Sequence, residues 1–310
     1  MTRHSTAVPT FAFLVALTVF AAPARAQSPV PPQDPSPTPE AAAANATTGA
    51  AAQPADDAGK LDPLEPDFAL VNLPTTLRLP VHGGNFHLTH RFNLNLRCGS
   101  NEDDCFSSRI NGLFGLDSGA NIGLEFRFGL MRNLQGIVQR TSIGQTIQFS
   151  VKYDAVHQNA GRPVSVSGVA SIEGENNFHN NDRRRAHFAP ALGFVVSREV
   201  GDALAIYLEP FWVHNTANEG QPTRDTSFLG IGARVRLGST VNLVGEVLPR
   251  LAGLQALDDP LYGFAIEKRV GAHVFALTFT NRPATTFRQI AQGGTPTTLN
   301  LGFNLTRKFF

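Results

Sequence analysis

Lysine is nearly absent: of 310 residues only Lys60, Lys152, Lys268 and Lys308 carry an ammonium side chain. The 26 basic residues, otherwise arginines, stand against 25 acidic ones, for a formal charge of +1. That balance removes the electrostatic case for a nucleic-acid partner and for polybasic membrane docking. After residue 26 no apolar run approaches the ~18 residues that a membrane helix needs, so a helical membrane protein is excluded. Only two cysteines are present, too few for a four-ligand thiolate zinc site. No His-x-His or His-Glu-x-x-His pattern occurs either, and we expect neither metal nor cofactor. Tryptophan occurs once and tyrosine three times, yet Phe occurs 23 times and Gly 28 times. With a mean hydropathy of −0.09, two classes remain: a soluble β protein, or a transmembrane β-barrel whose alternating strands escape hydropathy averages.

Residues 1–26 have the layout of a secretory leader. Arg3 and His4 precede an apolar stretch from Phe11 to Ala22, and Ala24-Arg25-Ala26 supplies a small–x–small cleavage site. Export places Cys98 and Cys105, seven positions apart, in an oxidising space where a small disulfide loop forms. Residues 27–66 then hold nine Pro and ten Ala with few large apolar side chains. Proline at that density blocks helix and sheet hydrogen bonding, and so little apolar surface cannot make a core. The expectation is a disordered tether, followed by a single barrel domain over 67–310.

From Asn85 onward apolar residues recur with period two. Phe86, Leu88, Phe92, Leu94 and Leu96 share one face, as do Ile122, Leu124, Phe126, Phe128 and Leu130. Twelve strands are expected: 85–97, 119–130, 134–141, 145–156, 163–173, 186–198, 202–214, 227–237, 240–250, 260–268, 271–281 and 298–310. Many exceed the usual ~5–6 residues of a globular strand and match the ~9–11 that cross a bilayer at a tilt. Short connections alternate with long polar ones, 142–144 excepted, the habit of outer-membrane barrels. The predicted fold is an all-β, antiparallel, up-and-down transmembrane barrel of about twelve strands.

Twelve strands enclose more than the side chains of an eight-stranded barrel fill. An all-apolar interior would leave voids, so the apolar face is assigned to lipid. The polar phase is then the lumen. Its basic members are Arg91, Arg127, Lys152, Arg234, Arg236, Arg250 and Lys308; its acidic members are Glu125, Asp154, Glu173, Glu209, Glu246 and Glu267. Seven against six has no dominant sign, whereas a strongly selective ion pore shows one. Two readings follow: a narrow, weakly selective channel for small solutes, or a plugged barrel of paired charges that acts through its external loops. An outer-membrane lipase is a third, but His90 and His273 on the apolar phase have no serine beside them, and no catalytic residue is assigned. Gly230-Ile231-Gly232 lies inside an alternating strand, where small inner residues relieve crowding. The basic run Arg183–Arg185 suits an external loop within reach of lipopolysaccharide phosphates.

Several short motifs in order resemble a known bacterial family. They are His90-Arg91-Phe92, Leu113-Phe114-Gly115-Leu116-Asp117, Ala120-Asn121-Ile122, Gly123-Leu124-Glu125, Arg140, Lys152-Tyr153 and Gln158, within roughly residues 70–165. The family is a domain of unknown function described as a membrane-bound β-barrel domain. The resemblance implies a β-barrel fold and a location in the outer membrane; we expect lipid, lipopolysaccharide and the barrel-assembly machinery as its partners. It implies no established activity.

Overall fold

A computed structural model of the chain describes residues 64–98, 105–159, 161–178, 188–217, 224–254 and 259–309. The expected leader, most of the expected tether, Arg183–Arg185 and Phe310 lie outside these.

The wall consists of β1 (Gly84–Asn95), β2 (Ala120–Met131), β3 (Leu134–Thr141), β4 (Ile147–Val156), β5 (Ser165–Gly174), β6 (Phe188–Val200), β7 (Leu204–Val213), β8 (Thr226–Arg236), β9 (Val241–Leu248), β11 (Leu261–Val270), β12 (His273–Thr280) and β13 (Asn300–Phe309). A three-residue strand, β10 (Arg250–Ala252), continues β9 beyond Pro249 along the edge of β8. Each wall strand pairs antiparallel with its neighbours, and β1 pairs with β13 from Gly84↔Phe309 to Asn95↔Asn300. The sheet is closed, so no edge remains. At one end the connections are mostly tight, as at Gly271, whose φ of +58° suits a glycine between the paired Val270 and His273. We call this the turn end. The other, loop end carries the longer segments, including α1 (Cys105–Asn111), which begins at the Cys98–Cys105 disulfide.

Burial is inverted relative to a soluble protein. Phe194 is 58% exposed and Phe128 51%, while Arg91, Lys152, Arg234, Glu209 and Glu267 are all at 0%. On β2 exposed Leu124, Phe126, Phe128 and Leu130 alternate with inner Gly123, Arg127 and Gly129. Ten residues at ~3.3 Å each, tilted by ~45°, give an apolar band of about 25 Å, the height of a bilayer core. No helix among the described residues is long and apolar enough to cross a membrane. The crossing falls to the strands.

What fills the barrel is the chain's own N-terminal segment. Residues 64–80 run inside the wall, and Leu64, Phe68, Leu70, Val71, Leu73, Leu77 and Leu79 are buried there. The last three residues of the stretch expected as a tether, Leu64, Glu65 and Pro66, are buried. The segment folds back on itself. Leu70 N–H donates to Leu73 O at 2.8 Å and Thr75 N–H to Phe68 O at 2.9 Å, with Ala69 bridged to Pro74. It then joins the wall at the turn end, where His82 N–H donates to Gly129 O.

Candidate functional site: a hairpin seated in the lumen

The hairpin has no sheet partner for most of its backbone, so its amides must be satisfied by side chains. The lumen-facing charges do this. The Glu246 carboxylate accepts the backbone N–H groups of Val71, Asn72 and Leu73, at 3.0–3.1 Å, and the Asn72 side-chain amide at 2.8 Å. Across the tip, Arg91 Nη2 donates to Val71 O at 3.3 Å while its Nη1 is held by Asn304 Oδ1 at 2.7 Å. Arg234 Nη2 donates to Ala69 O at 2.8 Å. Lys152 Nζ donates to Thr75 O and Leu77 O, both at 2.8 Å, and Gln135 adds a bond to Leu77 O at 3.0 Å. One carboxylate reads the amide donors of the tip, Arg91 reads a tip carbonyl, and Arg234 and Lys152 read carbonyls of the two arms.

These readers are themselves oriented. Glu267 pairs with Arg234, Asp154 with Lys152 at 3.0 Å, and Glu125 with Arg127 at 2.9 Å. Arg127 also stacks over the Phe68 ring at 5.0 Å, with Lys308 at 5.4 Å from the same ring. Glu209 differs from the rest. It is fully buried beside the hairpin, and neither carboxylate oxygen has a hydrogen-bond partner among the described residues. Arg236, at the turn end of β8, is half-buried.

The loop end is closed by a second insertion. Between β12 and β13 the chain turns inward as α2 (Phe287–Ala291), started by Thr286 and Gln289 in a reciprocal capping arrangement. Glu173 accepts from Thr286 Oγ1 at 2.9 Å and from Arg288 N–H at 3.0 Å, and Gln148 accepts from Phe287 N–H at 3.0 Å. Phe287 stacks on Phe211, whose ring stacks in turn on Phe228. Arg288 pairs with Glu175 and donates to the carbonyls of Asn215 and Ala217. Nearby Arg282 is lowered to about 10 by burial, with Arg250 and Arg288 adding like-charge repulsion. Hairpin and loop meet around a cavity of about 50 Å³ bordered by Asn72, His87, Gln139, Ser150 and Phe287. That is room for a few waters only.

The sequence reading assigned charges to the inner phase and did not include the hairpin that several of them contact. Residues 67–80 show no alternation and contain Pro74 and Pro80, so no element was expected there. The available signal was small residues on the inner phase: a Cβ at Gly230, Gly232 or Gly263 would stand against the Leu73, Leu70 or Val71 side chain of the hairpin. His90, on the outer phase, stacks on Phe303 with ring centroids 4.9 Å apart, which accounts for a histidine among phenylalanines.

Residues 67–309 match the family model described as a membrane bound beta barrel domain (DUF5777). The match takes in the hairpin tip as well as the wall. No curated protein matches the sequence. Among solved structures, the COG4313 outer membrane channel from Pseudomonas putida F1 is 12% identical, over 74% of this chain and 97% of its own, with a TM-score of 0.46. The NanC porin is 8% identical, over 73% of this chain and 99% of its own (TM-score 0.48). The KdgM porin is 10% identical, over 74% and 99% (TM-score 0.45).

Proposed function

The chain belongs to the family of membrane bound beta barrel domains, and from that premise we propose an outer-membrane channel for small solutes, closed at rest by its own N-terminal hairpin. Export uses the leader, with cleavage after Ala26, and the barrel-assembly machinery inserts the strands among lipid and lipopolysaccharide. The turn end, with the hairpin's entry, faces the periplasm. The observation that carries the reading is the polarity of the hairpin's seat. Its contacts with Glu246, Arg91, Arg234 and Lys152 are hydrogen bonds to charged groups, which water and polar solute replace once the hairpin leaves. A permanent filler would be held at lower cost by apolar packing. No catalysis is part of this reading.

Conductance of the full chain with the hairpin locked and unlocked is the test. A Cβ at Gly263 would stand 3.3 Å from the Val71 Cβ, close to the ~3.5–4.5 Å of a disulfide. Val71→Cys with Gly263→Cys should therefore lock the tip to β11. We expect no openings of the oxidised variant in planar bilayers and openings after reduction, with the unaltered chain indifferent to reductant. A barrel silent in every state would replace the channel by the second reading, a plugged barrel working through its external loops. The α2 insertion, which closes the loop end separately, favours that alternative.

A further inference from the structure

The hairpin's seat reads side chains as well as backbone. On the inner faces of β8 and β11 three glycines leave sockets. A Cβ at Gly232 would stand 2.3 Å from Leu70 Cδ1, one at Gly230 2.7 Å from Leu73 Cδ1, and one at Gly263 3.0 Å from Val71 Cγ1. A branched side chain at Gly232 or Gly230 would have to displace the leucine methyl groups seated there. Beside the Leu73 socket lies Glu209, whose Cβ is 3.1 Å from where a Gly230 Cβ would be. Its buried carboxylate is left without a hydrogen bond by the hairpin. The lumen thus combines a carboxylate reading three consecutive amide donors, cations reading carbonyls on both arms, and three apolar sockets. None of these contacts depends on the hairpin being covalently joined to β1.

We propose that the lumen is a peptide-binding site, selective for a short turn of the Leu-Val-Asn-Leu type, with residues 64–80 as its intramolecular occupant. Other solute classes fit less of the site. A saccharide supplies hydroxyls but no branched apolar groups for the sockets. An anion meets Glu246 and Glu209, and a cation meets Arg91, Arg234 and Lys152. That such peptides are the passing solute rests on the channel reading; the binding itself does not.

The covalent link to β1 raises the hairpin's effective concentration to the millimolar range, so an added peptide competes poorly until the seat is vacated. The experiment uses the full chain in detergent with Leu70→Asp and Leu73→Asp, which keep the wall but cannot fill the sockets. A fluorescent synthetic peptide of residues 64–80 is titrated by anisotropy, and heat-modifiable gel migration checks folding. We expect saturable binding, weakened at least ten-fold by Gly232→Val in the wall or by serine in place of the peptide's Leu70 and Leu73. Absence of saturable binding to the folded variant, or equal binding of the serine peptide, would overturn the proposal. Should the variant not fold, the unaltered chain gives a second measurement. Excess peptide should displace the chain's own hairpin and expose Arg78 to trypsin, and cleavage independent of peptide sequence would overturn it equally. Neither readout involves conductance, so failure here is distinct from failure of the channel.

Discussion

Arg234 holds Glu267 at two points, Nε to Oε2 at 2.8 Å and Nη2 to Oε1 at 3.0 Å, with neither side chain exposed. The two sit on β8 and β11, separated by β9, and the pair spans that strand across the inner wall. The same guanidinium reaches the hairpin at Ala69 O. Wall and plug thus share one cation. Removing one member of a buried pair leaves an uncompensated charge, at about 3–5 kcal/mol. Glu267→Ala should lower urea stability in vesicles by that order, and Arg234→Leu with Glu267→Leu should recover most of it. Equal loss in single and double variants would show that the pair is not coupled.

Glu246 is the clamp on the tip. Hydrogen bonds to a charged group contribute about 1.5–3 kcal/mol each, and in Glu246→Gln the carboxamide nitrogen can no longer accept. A local loss of about 2–3 kcal/mol corresponds to amide exchange roughly 30- to 150-fold faster at Val71, Asn72 and Leu73. Hydrogen–deuterium exchange resolved to that peptide is the measurement. Protection of the β1 and β13 amides should be unchanged, because their partners are in the closed ladder.

The disulfide lies outside the wall, and its effect should be local. Closing a loop of this length is worth about 2.5 kcal/mol by the chain-entropy relation, felt by the segment between β1 and β2. Unreduced, alkylated peptides should show no free thiol at Cys98 or Cys105. Cys98→Ser with Cys105→Ser should leave heat-modifiable migration intact while making the α1 region cleavable by protease. Loss of the folded barrel would mean that the loop contributes to wall formation.

The wall was legible in the sequence because a strand's side-chain period of two is written directly into the order of residues. Phe126 against Arg127, or Phe149 against Ser150, separates the two faces of a strand, and the strand count then assigns the apolar one to lipid. Closure and the β1–β13 pairing also follow once an even number of long strands is counted. The hairpin was not legible, for a physical reason. Its conformation is imposed by a cavity that exists only after twelve strands have closed; Glu246 accepts its amide N–H groups and Lys152 donates to its carbonyls, both from more than 70 positions away. No local periodicity reports such contacts. The pairing of Glu125 with Arg127 could be expected from two-residue spacing on one strand. That of Arg234 with Glu267, across an intervening strand, could not. Glycine at 230, 232 and 263 was visible, but its meaning depended on side chains not yet placed.

Lipid should face the apolar phase, and one substitution on each side of a single strand tests this. Phe126 is exposed near the middle of β2, in tilted contact with Phe86 with ring centroids 5.0 Å apart. Its neighbour Arg127 is buried inside. If the outer face is in hydrocarbon, Phe126→Arg near mid-strand costs about 2–4 kcal/mol, and the same substitution at Met131, by the turn end, costs about 0–1 kcal/mol. A soluble protein would show no such dependence on height along the strand. Arg127→Ala acts through a different route. It removes the partner of Glu125 and the cation over Phe68, so it should loosen the hairpin as well as lower stability. Urea titrations of the three variants in vesicles separate these effects. A depth-independent cost for Phe126→Arg and Met131→Arg would remove the bilayer from the account of this face, whatever the lumen does.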